Sequence, residues 1–466
     1  MPAMRLVFWT MFAGITISLL MGFFWVDELW PRVVVNNRVI GELPAVQDKP
    51  SERTLMSLPR ACSRRTAMPA GAGLGWPTLL GPRHDGTSPE MGLDLEWPEE
   101  GPLEKWRIAV GAGYAGPVAL GDVVVLLHRK GQREVVECFE PESGQTRWEH
   151  SWGAIYECPY NHSSGPYAAP VLEAGRVYAI GAGGDLYCLD LESGAEIWRR
   201  SLHEDYEVEI EVWPVSASPL IVGDRLIVNI GGRKTGAGVV ALSKETGETL
   251  WTATEDGASC ATPRSAVMHG RTFVFVWTAD ALVSLDPEDG NVYWRIPFCA
   301  KNYEAAHGTT PLVTADVVFV SGYQTGNLCV RVSPDGACQE LWRDKGKLLD
   351  SQYNNLLYVD GDVVGFSITR KSLRRLDLAT GELKWQWRSK ALNGTMIAVD
   401  GHYLLFGEKG HLASLVFDEE GARAVSMTRR PVLAPPCLSY PALHNGLLYV
   451  RNEEEMVCID LRREEG

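Results

Sequence analysis

From about residue 104 to the C-terminus the chain is written in short alternating runs. Asp185-Leu-Tyr-Cys-Leu189 is one of them, and clusters of Asp, Glu, Ser, Thr and Gly separate such runs from one another. A period of two bounded by turn residues predicts β-strands joined as hairpins, and no sustained helical period competes with it. One hairpin recurs. In Cys188…Asp190…Gly194…Trp198 a small residue sits on the first strand, an acidic residue and a Gly make the turn, and a Trp closes the second strand. The same spacing returns in Cys138…Glu140…Gly144…Trp148, Ala241…Gly247…Trp251, Ser284…Asp286…Gly290…Trp294 and Arg375…Asp377…Gly381…Trp385. A looser copy, Val330…Gly336…Trp342, carries two extra residues before its Trp.

Each hairpin belongs to a larger unit with four apolar segments. In the second unit these are Ala169-Pro-Val-Leu172, Arg176-Val-Tyr-Ala-Ile180, Asp185–Leu189 and Glu196-Ile-Trp-Arg199. Repeats of about 45 residues with four strands each predict the blades of a β-propeller. Innermost strands begin near Pro117, Pro170, Pro219, Pro263, Pro311, Asn355, Met396 and Pro441, which makes eight blades. The seventh lacks its terminal Trp, and the eighth stops after Cys458-Ile-Asp460 without an outer strand. The missing strand is expected at Glu104-Lys-Trp106-Arg-Ile108, whose Trp has no hairpin of its own. Pairing it with the last blade closes the ring and removes open sheet edges. The fold class is therefore all-β, an eight-bladed propeller over residues 104–466 closed by an N-terminal strand. Trp106, Trp148, Trp198, Trp251, Trp294, Trp342 and Trp385 are expected to pack between blades.

Upstream, residues 6–26 form an uncharged apolar run, long enough to span a bilayer as a transmembrane helix. Arg5 precedes it and Asp27 and Glu28 follow, which orients the N-terminus to the cytoplasm and exports the remainder. A cleaved signal peptide is the competing reading, although Phe23-Phe-Trp-Val-Asp-Glu28 is a poor cleavage site. Residues 27–75, rich in Pro and without a period, read as a disordered tether, and residues 76–103 as a turn-rich, extended lead-in.

A net charge of −15 argues against nucleic acid as a partner. The ten cysteines include no C-x-x-C, so no zinc ribbon or thioredoxin-like site is indicated. Cys138, Cys188 and Cys458 share one repeat position and are expected to be buried core residues, while Cys329 falls one position out of register. Cys62, Cys158, Cys260, Cys299, Cys338 and Cys437 are placed in loops or the linker, where one disulfide could form.

The hairpin-plus-Trp pattern resembles the tryptophan-docking repeat of the PQQ-type propellers, a superfamily that includes the quinoprotein alcohol dehydrogenases and the outer-membrane assembly factor BamB. The resemblance covers roughly residues 76–466. It implies that each docking Trp stacks between its own Gly turn and the small residue of the neighbouring blade. In the dehydrogenases it also implies PQQ held against a ring of two adjacent bonded cysteines, with calcium and a catalytic Asp nearby. This chain has no Cys-Cys pair. No catalytic residue and no metal ligand is assigned. The leading expectation is a membrane-anchored, periplasmic, non-enzymatic scaffold that binds an envelope protein. A quinoprotein-type oxidoreductase using PQQ and Ca²⁺ is the alternative, and glycan or small-ligand binding a third reading.

Ligand-binding candidates are taken from the loops that approach the innermost strands. They are Tyr160, Asn161 and His162 in blade 2, Glu211 and Trp213 in blade 3, Tyr303, Glu304 and His307 in blade 5, and Gln352, Tyr353, Asn354 and Asn355 in blade 6. Pockets with a few placed polar and aromatic groups have this composition. Glu207, Glu209 and Glu211 alternate with apolar residues and are expected on one face of a strand, as a solvated acidic face. Gly111-Ala-Gly-Tyr-Ala-Gly116 matches a dinucleotide fingerprint, but Pro117 and a strand follow it where a helix is required.

Overall fold

The computed structural model describes residues 74–160, 162–209, 213–300, 307–388 and 393–463. The chain divides into a unit 1–57, outside the described residues, and a unit 58–466 that contains them. The apolar run 6–26, most of the tether, Cys62, Asn161, Glu211, Tyr303 and Glu304 therefore lie outside the described residues. Among the described residues no helix is long and apolar enough to cross a membrane.

Eight four-stranded antiparallel sheets follow one another along the chain. Within each, the strands are designated A to D in order of pairing. Blade 1 consists of Val118–Leu120, Val123–Lys130, Arg133–Phe139 and Thr146–Gly153. Neighbouring A strands touch, for example those of blades 8 and 1 and of blades 1 and 2, so A lies at the axis and D at the rim. In blade 8 the strand Leu103–Ala109 pairs with Glu455–Asp460, Trp106 facing Cys458. The N-terminal strand thus supplies the outer strand of the last blade, as expected.

The hairpin sequence explains itself locally. In blade 2 the carboxylate of Asp190 accepts hydrogen bonds from the Ser193 amide at 2.8 Å and the Ser193 hydroxyl at 2.6 Å. Gly194 then turns back with a φ of 71°, a conformation that favours Gly. A bulge between Cys188 and Leu189 sets Trp198 opposite Cys188. Apolar side chains on both faces of each sheet pack against the next sheet. The slab between blades 1 and 2, for instance, joins Val125, Leu127 and Val136 to Val177, Ala179 and Leu189.

The docking geometry corrects one expectation. Five of the seven docking Trp residues stack on the turn Gly of the following blade and face the small residue of their own blade. A Cβ on Gly144, Gly194, Gly247, Gly290 or Gly381 would lie within 3.0 Å of the ring of Trp106, Trp148, Trp198, Trp251 or Trp342. The same five indoles donate to the carbonyls of Pro141, Leu191, Lys244, Pro287 and Leu378 at 2.8–3.1 Å. Trp294 and Trp385 are buried, but their indole nitrogens have no partner. The cause lies in the next blade. In blade 5 Gly336 bonds back to Ser333 instead of closing the usual wider turn, and in blade 7 Gly421 meets nothing within 4 Å.

Further corrections concern register and local structure. Cys329, not Val330, faces Trp342 across the ladder, so Cys329 occupies the same repeat position as Cys138, Cys188 and Cys458. Cys338 starts strand D of blade 5 instead of lying in a loop. The nine described cysteines are all free. Tyr206–Glu209 does not form a strand: Leu202–Asp205 is a short helix, and Glu207 follows in a turn at φ 49°.

Residues 76–97 take an unexpected route. Trp76 exchanges backbone hydrogen bonds with Ala119 in blade 1, and Pro77 accepts one from Leu172 in blade 2. Arg83 accepts from the Arg264 side chain in blade 4. Gly86 and Ser88 pair with Ala398 in blade 7, and Glu90 accepts the amides of Asn445 and Gly446 in blade 8. The lead-in therefore meets blades 1, 2, 4, 7 and 8 in turn, following the inner strands round the ring. It satisfies inner-strand amides that an empty channel would leave to water.

Candidate functional site

The rim loop between blades 1 and 2 is shaped by Arg129, a mostly buried residue on strand B of blade 1. Its guanidinium donates to the carbonyls of Tyr156 at 2.7 Å and Ser164 at 3.0 Å and pairs with Glu157. Ser164 Oγ in turn accepts the Cys158 amide at 3.0 Å. One cation thus gathers both ends of the loop and leaves its tip outward. At that tip Tyr160 is 47% exposed and His162 is exposed. The His162 ring lies 5.4 Å from that of Trp213, which comes from the loop leading into blade 3. Ile155, 51% exposed, flanks this aromatic pair's loop and lies over Gly183 of blade 2. Deeper in, the Tyr114 and Tyr167 rings pack at 4.7 Å, tilted by 43°, and Tyr167 donates to the Ser163 carbonyl at 3.0 Å. Burial raises the Tyr114, Tyr156 and Tyr167 phenols above their ordinary range.

The other candidates fall into separate places. His307 is buried, with its ring stacked at 4.2 Å on Trp277 and its nitrogens on the Thr278 carbonyl and the Thr325 hydroxyl, each at 3.1 Å. Gln352 and Tyr353 are half-buried. The Tyr353 hydroxyl donates to Glu408, and the Asn393 amide reaches the same carboxylate at 3.2 Å. Asn354 donates to the Gly394 carbonyl at 2.7 Å. Asn355 both donates to the Met396 carbonyl and accepts its amide at 2.8 Å, as a backbone strand would. These two asparagines tie blade 6 to the inner strand of blade 7. The structure thus joins His162 to Trp213, and Tyr353 to Glu408 and Asn393.

Burial lowers His307 to about 4. Its folded value lies below the unfolded value of about 6.5, so unfolding binds a proton between the two. Stability is therefore expected to be flat above about pH 6.5 for this group and to fall as the pH drops toward 4. In His307→Asn the slope of urea-unfolding stability against pH in that window should shrink by up to one proton. An unchanged slope would remove this assignment.

Trp277, at the end of strand B of blade 4, is fully buried with its ring stacked between Phe298 and His307. Among the described residues no group of three His, Cys, Asp or Glu side chains could hold a metal ion.

Sequence reasoning passed over Glu408 and Asn393, and also Arg264 with His84. Arg264 carries a legible signal. The residue after the strand-A proline is Val118, Val171, Leu220, Leu312 or Ala442 in other blades, and Arg in blade 4. A charge at a repeat position otherwise apolar marks a local exception.

Residues 132–387 match the family model described as "Outer membrane protein assembly factor BamB". The chain is 22% identical over 317 residues to the outer membrane protein assembly factor BamB of Yersinia pestis, covering 66% of this chain and 76% of that one. It is 24% identical over 189 residues to the quinoprotein ethanol dehydrogenase of Pseudomonas aeruginosa, covering 36% of this chain but 28% of that enzyme. The fold is similar to the crystal structure of BamB from Moraxella catarrhalis, with a TM-score of 0.56 at 16% identity, covering 77% of this chain and all of that one.

Proposed function

Because the chain belongs to the PQQ-like repeat family of the outer membrane protein assembly factor BamB, we propose that it is a non-catalytic propeller of the cell envelope that binds a protein partner on its rim. In this reading residues 6–26 anchor it in the inner membrane, 27–75 tether it, and the propeller faces the periplasm. The observation that carries the reading is the lead-in: residues 76–90 run along the inner strands, with backbone bonds to blades 1, 2 and 7 and the Glu90 carboxylate on two amides of blade 8. A segment built into the axis leaves the rim loops as the surface for recognition. Ile155, Tyr160, His162 and Trp213 supply the aromatic and aliphatic anchors that concentrate binding energy at interfaces.

A photo-crosslinking side chain at Tyr160 or His162 is expected to trap one discrete envelope protein in intact cells. Trp213→Ala should weaken that association at least about tenfold while the thermal midpoint of the purified protein stays near wild type. A reporter enzyme active only outside the cytoplasm, fused after residue 75, should be active. Absence of any adduct at the rim would remove the scaffold reading. Dye reduction with alcohols that requires added PQQ and Ca²⁺ would establish the quinoprotein alternative in its place.

A further inference from the structure

Where the lead-in passes blades 3 to 5 it encloses a small internal pocket lined by Thr78, His84, Ser218, Thr262, Arg264 and Thr310, among others. The space for the centre of a water-sized sphere is about 10 Å³, room for one small guest. Arg264 is 7% exposed and forms no ion pair among the described residues. One of its five N–H groups is used on the Arg83 carbonyl at 3.1 Å. Asp85, the nearest acidic group, is turned to its own turn, accepting the amide of Thr87 at 2.9 Å and its hydroxyl at 2.7 Å. Ser218 and Thr310, 2% and 4% exposed, have hydroxyls without a partner. Thr262 Oγ1 accepts the Ser218 amide at 3.1 Å, which leaves its own proton to give.

We propose that this pocket binds a single chloride-type anion, held by the Arg264 guanidinium and the hydroxyls of Ser218, Thr262 and Thr310. The chemistry of the lining selects the guest. A cation without a close carboxylate and several unspent donors converge on a space too small for a polyatomic ion. A buried guanidinium left unpaired is destabilising, and an anion offsets that cost with acceptor capacity in every direction. A water molecule would have to turn both its protons toward a wall made mostly of donors. Burial pushes the Arg264 guanidinium down to about 10 and, together with Arg264, the His84 imidazole to about 4, as expected for cationic groups crowded into one dry place. The anion would pin the lead-in to blades 3, 4 and 5, the arc where its backbone has the fewest bonds to the ring.

Two measurements test the site on the purified protein. In thermal unfolding at constant ionic strength, replacing sodium gluconate by sodium chloride should raise the midpoint and then saturate, as binding to the folded state alone requires. Arg264→Gln should abolish this chloride-specific rise. If that variant does not fold, Thr310→Val must reduce the rise while remaining folded. In crystals soaked in sodium bromide an anomalous peak is expected between Arg264 and Thr310. A chloride response identical in wild type and Thr310→Val, or a pocket that holds water and no bromide, would overturn the proposal.

Discussion

A chain that begins at residue 110 is expected to yield no soluble, cooperatively folding monomer, whereas one that begins at residue 74 should fold like the full chain. The shorter chain loses the strand that completes blade 8. Strand Glu455–Asp460 would then become an open edge, with Met456, Cys458 and Ile459, now at most 1% exposed, uncovered on it. Edges of that kind pair with other chains. The same cut removes Trp106 from Gly144 of blade 1, together with its 2.8 Å bond to Pro141 and the Lys105–Glu142 ion pair at 2.8 Å. Loss of the Trp side chain alone costs about 3–5 kcal/mol, a large share of a typical total stability of about 5–15 kcal/mol. It also removes the lead-in from the axis. Size-exclusion chromatography and thermal circular dichroism of the two chains read the outcome. A monomeric 110–466 with an unchanged midpoint would mean that the ring does not depend on its closing strand.

Trp251→Ala is expected to destabilise by about 3–5 kcal/mol, and Gly290→Ala, one blade further on, should act on the same contact from the other side. A Cβ at Gly290 would sit 2.6 Å from the Trp251 ring, at a φ of 74° that an L side chain already resists. The sharper comparison is with phenylalanine. Trp251→Phe removes a hydrogen bond to Pro287 at 2.9 Å and strands that buried carbonyl. Trp294→Phe removes an indole N–H that has no partner. The first should therefore cost about 1 kcal/mol more than the second, measured by urea unfolding. Equal costs would show that indole stacking alone, without the hydrogen bond, fastens neighbouring blades.

How much of this was legible varies with the range of the interaction. The Asp190-to-Gly194 turn, the alternation of Asp185–Leu189 and the solitary Trp106 strand are local patterns, and the structure has each where the pattern put it. The Gly spacing points to Val330 as the partner of Trp342, but blade 5 carries a longer hairpin with its Gly in a different turn, and Cys329 takes that place. The direction of docking is hidden from the sequence for a related reason. Spacing within a repeat places Trp198 and Gly194 in one hairpin, but only the stacking of sheets reveals that Trp198 lies on Gly247 of the next. Among the candidate residues, Asn354 and Asn355 looked like polar groups facing a ligand. Their amides instead replace backbone bonds between two inner strands, a use that depends on where blade 7 sits.

The repeat by itself determined that this protein is a closed ring of eight hairpin-bearing sheets, because periodicity, turn chemistry and a missing final strand are properties of neighbours in the chain. What fills the axis was decided only in three dimensions. Residues 76–90 have no period of their own, and their conformation comes from backbone groups offered by residues that lie 43 to 356 positions away. Arg264 and three hydroxyls from three different blades likewise share one pocket only after the ring has closed around that segment.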